Sequence, residues 1–134
     1  MAESPEVIAF PDAEAFAVKF LKSQYRSRGV TAGAGTKITD SVTSGFTRVS
    51  RAGGGVRDIV TDSPRLLIEC FAADTVTASE LARVTRALML ASARLSAKVT
   101  RAVDGGGVSF LPDPTTNNPR YQFVVQLDLR GSAI

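Results

Sequence analysis

The most restrictive feature of the sequence is an alternating run of apolar and polar residues over 121–130. The apolar positions are Tyr121, Phe123, Val125, Leu127 and Leu129, and the polar positions include Gln122, Gln126, Asp128 and Arg130. Successive side chains of a strand point to opposite faces, so this pattern predicts an antiparallel strand with one buried face. Such a strand needs neighbouring strands, and it needs helices or a second sheet over its apolar face.

Two segments have the helical period that would supply this cover. The first helix is predicted to begin at Pro11–Asp12 and to end before Gly29, with Phe16 and Phe20 on its apolar face. The second is predicted from a capping box formed by Thr77 and Glu80. Its apolar stripe consists of Leu81, Val84, Leu88, Ala91 and Leu95.

Further strands are predicted near 34–39 and 45–51 and over 65–73 and 98–104, the third of these buried on both faces. We interpret Gly53–Gly55 and Gly105–Gly107 as flexible turns, and 56–64 as an extended hairpin arm. The expected fold class is α+β, with two helices packed on a mostly antiparallel sheet in the order α-β-β-β-α-β-β. The 134 residues match a single domain, predicted over 11–134 after a flexible N-terminal arm over 1–10.

The residue types that the sequence lacks argue against most enzyme chemistry. There is no histidine and one cysteine, so histidine-dependent triads and the commonest zinc ligands are missing. Neither triple-glycine run precedes a predicted helix, as a phosphate loop would. Cys70 follows apolar residues in a predicted strand, which is typical of a small buried hydrophobe. We expect no enzymatic activity, no cofactor and no metal; a small-ligand binder would instead need a pocket with a perturbed carboxylate or lysine.

Positive charge is concentrated in one part of the chain. Residues 19–57 contain eight cationic side chains and one acidic residue, Asp40, whereas the remainder contains eight cationic and twelve acidic residues. This asymmetry suits a nucleic acid, an acidic protein, or self-association between basic and acidic faces, and it is equally typical of a solvated basic face. No run approaches the length of a membrane span, and the N-terminus lacks the pattern of a signal peptide. We expect a soluble protein, cytoplasmic or particle-bound, with no membrane partner.

Several segments have a familiar order and spacing. They are FPDAEAFAVKFL, GTKIT, FTRVSRAGG, RDIVTDSPRLLIECFA, the Leu/Ala helix and LPDPTTNNPRYQFVVQLDLRG, and they span most of the chain from Phe10 to Gly131. Together they resemble the tail terminator (tail-completion) proteins of long-tailed phages, especially those that infect actinobacteria. That family usually carries a tryptophan after the Glu-Cys pair, where this chain has Phe71.

The resemblance implies a structural role. Proteins of this kind form a homohexameric ring on the head-proximal end of the tail, where they stop polymerisation of the major tail tube protein. The ring also provides the surface for a head-completion or connector protein, and genomic DNA passes through it without sequence-specific binding. The implied location is the virion, after assembly in the host cytoplasm, with no cofactor. The alternative is another phage neck or head-completion (connector) subunit, which has similar size and equally lacks catalytic groups; an unrelated binding domain is a third possibility.

A closed ring requires two different, complementary surfaces on each subunit. The candidate interface residues are Arg48, Arg51, Arg57, Asp58 and Asp62. We expect the three arginines to contact a neighbouring copy or the tube, with the two aspartates on the adjoining hairpin. Arginines that lined the pore would hold DNA phosphates and slow its passage, which argues against that placement.

Overall fold

Five strands form one mixed sheet, and two long helices pack on one of its faces. The computed structural model describes residues 6–38 and 41–134. The elements are β1 (Ile8–Ala9), α1 (Ala13–Arg28), β2 (Gly33–Gly35), β3 (Phe46–Asp58), β4 (Thr61–Phe71), α2 (Thr75–Leu90), α3 (Ser92–Leu95), β5 (Val99–Phe110), β6 (Arg120–Arg130) and β7 (Ser132–Ala133).

The strand order of the main sheet is β2-β3-β4-β6-β5, and only the β2–β3 pair is parallel. The predicted α+β class, with two helices on a mostly antiparallel sheet, is therefore confirmed. The one-turn helix α3 and a separate two-stranded sheet of β1 and β7 were not predicted. The apolar side chains of β4 and β6 meet those of α1 and α2 in one core, as the alternation in β6 predicts.

Helix α1 begins and ends where the sequence predicts. The Asp12 side chain accepts a hydrogen bond from the Ala15 amide at 3.0 Å, which satisfies one of the free N–H groups of the first turn. At the other end, Gly29 adopts the left-handed conformation with φ of 68° and donates its amide hydrogen to the Tyr25 carbonyl. The face between these caps buries Ala17, Leu21 and Tyr25 against the sheet.

The N-cap of helix α2 lies three residues before the predicted one. Asp74 is the N-cap, and its carboxylate accepts a hydrogen bond from the Thr77 amide at 2.8 Å, so the predicted box of Thr77 and Glu80 is wrong. The buried face contains Ala78, Leu81, Ala82, Thr85, Leu88 and Met89. Leu81 and Leu88 of the predicted stripe are thus buried, whereas Val84 and Leu95 are exposed.

The two helices are also tied to the sheet by a buried polar contact. The Tyr25 hydroxyl of α1 lies 2.8 Å from the Thr47 hydroxyl of β3 and 2.5 Å from the Thr85 hydroxyl of α2. All three side chains are buried, and burial raises the pKa of Tyr25 far above its ordinary value. The phenol therefore stays protonated and links three elements at one point.

Both triple-glycine runs lie inside strands, so their interpretation as flexible turns is wrong. Gly53–Gly55 belongs to β3 and Gly105–Gly107 to β5, and the β3–β4 turn falls instead at Ile59–Val60. The β3–β4 register shifts between Arg51 and Gly54, which marks a β-bulge. Gly54 has φ of 79°, and a Cβ there would lie 2.1 Å from the Ser63 carbonyl oxygen.

The predicted N-terminal arm falls partly outside the described residues, which start at Glu6. Within the described part, Ile8 pairs with Ala133 and Ala9 with Ser132. Gly131 leaves room for this pairing, because a Cβ at that position would lie 2.5 Å from Ile8 Cγ2. Residues 8–9 are therefore joined to the last strand rather than detached from the domain.

The bulge glycine should be far less tolerant of a side chain than its neighbour. We expect Gly54→Ala to lower the free energy of unfolding by about 2 kcal/mol or more, since it combines a left-handed backbone with a backbone clash. Gly55→Ala is the matched control, because no atom lies within 4 Å of its would-be Cβ and its φ is not left-handed. Urea denaturation of both variants measures the difference; equal stabilities would contradict the bulge.

Candidate functional site

The strongest candidate surface is the hairpin arm, which we define as residues 51–62 at the turn end of β3 and β4. Every residue from 51 to 60 is exposed, whereas most of the preceding and following residues of both strands are buried. Within the described chain, β2 pairs only with Phe46–Arg48, so β2 leaves the outer edge of β3 uncovered along the arm. The predicted extended hairpin thus forms, with its tip at Ile59–Val60 rather than at the glycines.

Apolar side chains crowd the tip of this arm. Val56 is 62% exposed, Ile59 is 80% exposed and Val60 is 49% exposed. Tight turns are usually built from Gly, Asn, Asp, Ser or Pro, and a cluster of large apolar side chains there is typical of a contact surface. Sequence analysis predicted a hairpin arm over 56–64 but selected the charged residues of this region, so it missed the apolar tip as a candidate.

Arg51 and Asp62 are brought together, but within one chain. The guanidinium of Arg51 contacts both carboxylate oxygens of Asp62, at 2.8 and 2.9 Å, and this pairing raises the pKa of Arg51. The same guanidinium donates to the carbonyls of Gly53 and Gly54, at 3.1 and 3.2 Å. Asp62 is buried. This pair therefore holds the bulge at the base of the hairpin arm.

Arg57 and Asp58 lie closer to the tip. Arg57 forms an ion pair with the buried Asp128 of β6, which also accepts a hydrogen bond from the Ser63 hydroxyl at 2.5 Å. The Arg57 side chain remains 54% exposed, so part of it faces solvent. Asp58 accepts the Val60 amide at 3.0 Å, which closes the turn and lowers the pKa of its carboxyl.

Arg48 lies at the other end of β3, on the sheet face opposite α1 and α2. Its guanidinium donates to both oxygens of Glu69, at 2.9 and 3.0 Å, and Arg120 of β6 donates to the same carboxylate at 2.9 Å. The two guanidinium carbons lie 5.3 and 5.9 Å from the centre of the Phe71 ring. Arg48 is thus part of an internal cluster, and the aromatic residue after the Glu-Cys pair packs against two cations.

The five predicted interface residues therefore fall into two groups. Arg48, Arg51 and Asp62 make ion pairs inside the chain that shape β3 and β4. Arg57 and Asp58 lie beside the exposed apolar tip. The partners that engage the arginines are distant in sequence, so their pairing depends on strand register rather than on any local motif.

Cys70 occupies the core position that the sequence predicts. Its side chain is fully buried, and its sulfur lies 3.6 Å from the Thr47 hydroxyl. Burial raises the pKa of the thiol to about 12. A thiol in this environment is not a nucleophile at neutral pH.

Neither a metal-ligand cluster nor a membrane-spanning helix is found among the residues that the structure describes. Among them, no group of three or more His, Cys, Asp or Glu side chains is arranged to hold a metal ion. No described helix combines the length and apolar character needed to span a membrane.

Comparison with known proteins leaves the family open. No protein-family model matches the chain, and a search of curated proteins finds no match.

The buried thiol provides a direct check on the core. At about pH 8, a free cysteine with a pKa of about 8.5 reacts readily with Ellman's reagent. Because Cys70 is fully buried, we expect it to react only as fast as the native protein unfolds. The same protein in concentrated urea should react rapidly and serves as its own control. Fast reaction of the native protein would contradict a buried Cys70.

The Glu69 carboxylate, which joins Arg48 to Arg120, should contribute far more to the free energy of unfolding than an exposed carboxylate does. We expect Glu69→Gln to lower the free energy of unfolding by about 2–3 kcal/mol, because two guanidinium groups lose their shared anion. Glu80→Gln, on the exposed side of α2, is the matched control and should change stability by less than about 0.5 kcal/mol. Equal effects of the two substitutions in urea denaturation would count against the cluster.

Proposed function

We propose that this protein is a tail terminator of a long-tailed phage, a structural subunit that forms a ring on the head-proximal end of the tail tube. The exposed apolar tip of the hairpin arm is the observation that carries the proposal. The tip suits a protein contact, and the quoted segments resemble the tail terminator family along most of the chain. In this role the ring stops polymerisation of the major tail tube protein and receives a head-completion or connector protein.

The tip offers apolar surface whose burial would favour association. Complete burial of a valine or isoleucine side chain is worth about 1.5–3 kcal/mol, so Val56, Ile59 and Val60 together supply several kcal/mol for each contact. Association costs about 4–15 kcal/mol of translational and rotational freedom, so a stable contact also needs further surface of the partner beyond these three side chains. A ring multiplies the contact, because each copy presents its own arm and receives the arm of the preceding copy.

The charged residues take a different role from the one expected from the sequence. Arg51 and Asp62 hold the base of the arm, so they position the tip rather than contact a neighbour. Arg57 and Asp58 flank the tip: Arg57 is paired with Asp128 but stays 54% exposed, and Asp58 is exposed, so both lie at the rim of the proposed contact. We therefore propose that the contact surface comprises Val56, Arg57, Asp58, Ile59 and Val60. Arg48 lies outside this surface and stabilises the sheet through its ion pair with Glu69.

The proposed location follows from the proposed role. The ring would be found in the virion at the head-proximal end of the tail, after assembly in the host cytoplasm. Genomic DNA would pass through its opening without sequence-specific contacts.

A second candidate role is a phage neck or head-completion subunit. Such a subunit also associates through an exposed surface, so the hairpin arm alone does not separate the two roles. The binding target separates them, because a terminator binds tube ends whereas a head-completion protein binds heads that carry a portal.

The proposal is tested by adding the protein to polymerising tail tube protein and measuring tube length by electron microscopy. We expect the wild type to stop elongation and the double variant Ile59→Ser, Val60→Ser to lose this effect, because the tip no longer contributes apolar burial. Val76→Ser is the matched control, since Val76 is 71% exposed but lies on α2, outside the arm.

Each outcome of this experiment has one meaning. Capping by the wild type and the Val76→Ser variant, with loss in the tip variant, supports the terminator and its contact surface. Full capping by the tip variant would contradict the hairpin arm as the contact surface. Failure of the wild type to cap tubes, combined with binding to portal-bearing heads, would favour the head-completion role.

A further inference from the structure

A second surface lies on α1, away from the hairpin arm. Six residues of α1 and one residue that follows β2 line an open groove of about 690 Å³. These residues are Ala15, Val18, Lys19, Lys22, Ser23, Arg26 and Thr36. The groove is thus bounded along one side by the outward face of the helix.

The three cations of this groove form a row. Lys19, Lys22 and Arg26 are spaced three and four residues apart, so they lie on one stripe of the helix. With a rise of about 1.5 Å per residue, the row is about 10 Å long. All three side chains are exposed, and none of them forms an ion pair with any residue in the described ranges 6–38 and 41–134.

This arrangement contrasts with the arginines of the sheet. Arg48, Arg51, Arg57 and Arg120 each have a carboxylate partner within the chain. Of the eight cations over 19–57, the three on the sheet are therefore compensated by carboxylates. The four on α1 have no such partner among the described residues. The basic half of the charge asymmetry points to α1 as the surface that attracts an anion.

The walls of the groove identify the kind of anion. Among the residues 6–38 and 41–134, none with a carboxylate lines it, and the hydroxyls of Ser23 and Thr36 add hydrogen-bond donors. The apolar lining is limited to Ala15 and Val18, with no aromatic ring on which a base could stack. The groove is therefore suited to a phosphate backbone and not to the reading of bases.

We propose that the α1 groove binds the phosphate backbone of duplex DNA without sequence preference. Each phosphate of a strand carries one negative charge, so the three cations of the row can make up to three phosphate contacts. A straight row of cations matches this regular line of charge. The proposal adds a DNA-binding surface to the protein and does not rest on ring formation or on tube capping.

The test measures binding of the full chain to a fluorescent duplex of about 20 base pairs and mixed sequence, by anisotropy, as salt is raised. Three phosphate contacts per chain predict a slope of log affinity against log salt of about −2.7, which is a loss of about 40-fold between about 50 and 200 mM salt. The triple variant Lys19→Gln, Lys22→Gln, Arg26→Gln should bind at least about 10-fold more weakly at the lower salt, with a slope near zero.

A matched control separates the groove from net charge. The variant Arg83→Gln, Arg94→Gln, Arg101→Gln removes the same charge from exposed positions outside the groove, and it should keep its affinity within about threefold. All six substituted side chains are exposed, and glutamine is a good helix former at the five positions that lie in helices, so circular dichroism should report a folded protein in both cases.

Three results would overturn the proposal. They are absence of binding by the wild type at about 50 mM salt, equal losses in the two triple variants, and binding of a poly-glutamate peptide as tightly as DNA. The second would mean that net charge alone attracts DNA, and the third would assign the groove to an acidic protein surface. Loss of DNA binding confined to the α1 variant supports the groove.

Discussion

The structure depends on one constraint, which is that strand β4 is buried on both of its faces. On one face, Leu66, Ile68 and Cys70 enter the core beneath the helices. On the other face, Glu69 and Phe71 are equally buried although no helix covers them. A buried carboxylate must be paired, and the guanidinium groups of two neighbouring strands supply that pairing while they pack against the Phe71 ring.

The same kind of pairing accounts for the arginines of the sheet. The arginines of β3 are engaged with acidic residues of β4 and β6, so they stabilise the sheet in which they lie. The exposed end of the β3–β4 hairpin has an apolar tip, and exposed apolar clusters of this kind are typical of protein-binding surfaces. The cations of α1 remain on a separate surface. One chain thus exposes an apolar tip and a basic groove at different places.

Local signals in the sequence predicted the elements well. Helix α1 has a side-chain cap at Asp12 and a left-handed Gly29, each of which acts within a few residues, so both ends were predictable. The alternation in β6 needs no knowledge of its neighbours. The capping box of α2 was wrong because Asp74 offers an equally good cap three residues before Thr77, and sequence alone does not choose between them.

Features that depend on strand register were not predictable in the same way. A glycine run inside a bulged strand has the same composition as a turn, and only the approach of Ser63 shows why Gly54 is a glycine. The partners of Arg51 and Arg57 become clear only once β3, β4 and β6 are aligned. The hairpin itself was therefore predicted from the sequence, but its apolar tip was not selected, and the interface role of its charged residues stays a prediction.

The most direct measurement counts the copies of this chain at the end of a tail tube, by cryo-electron microscopy of tubes mixed with the protein. We predict six copies in a ring with six-fold symmetry at one end of the tube only, with the hairpin arm of each copy in contact with the neighbouring copy. Copies scattered along the tube, or a two-chain particle whose hairpin arms face solvent, would contradict it.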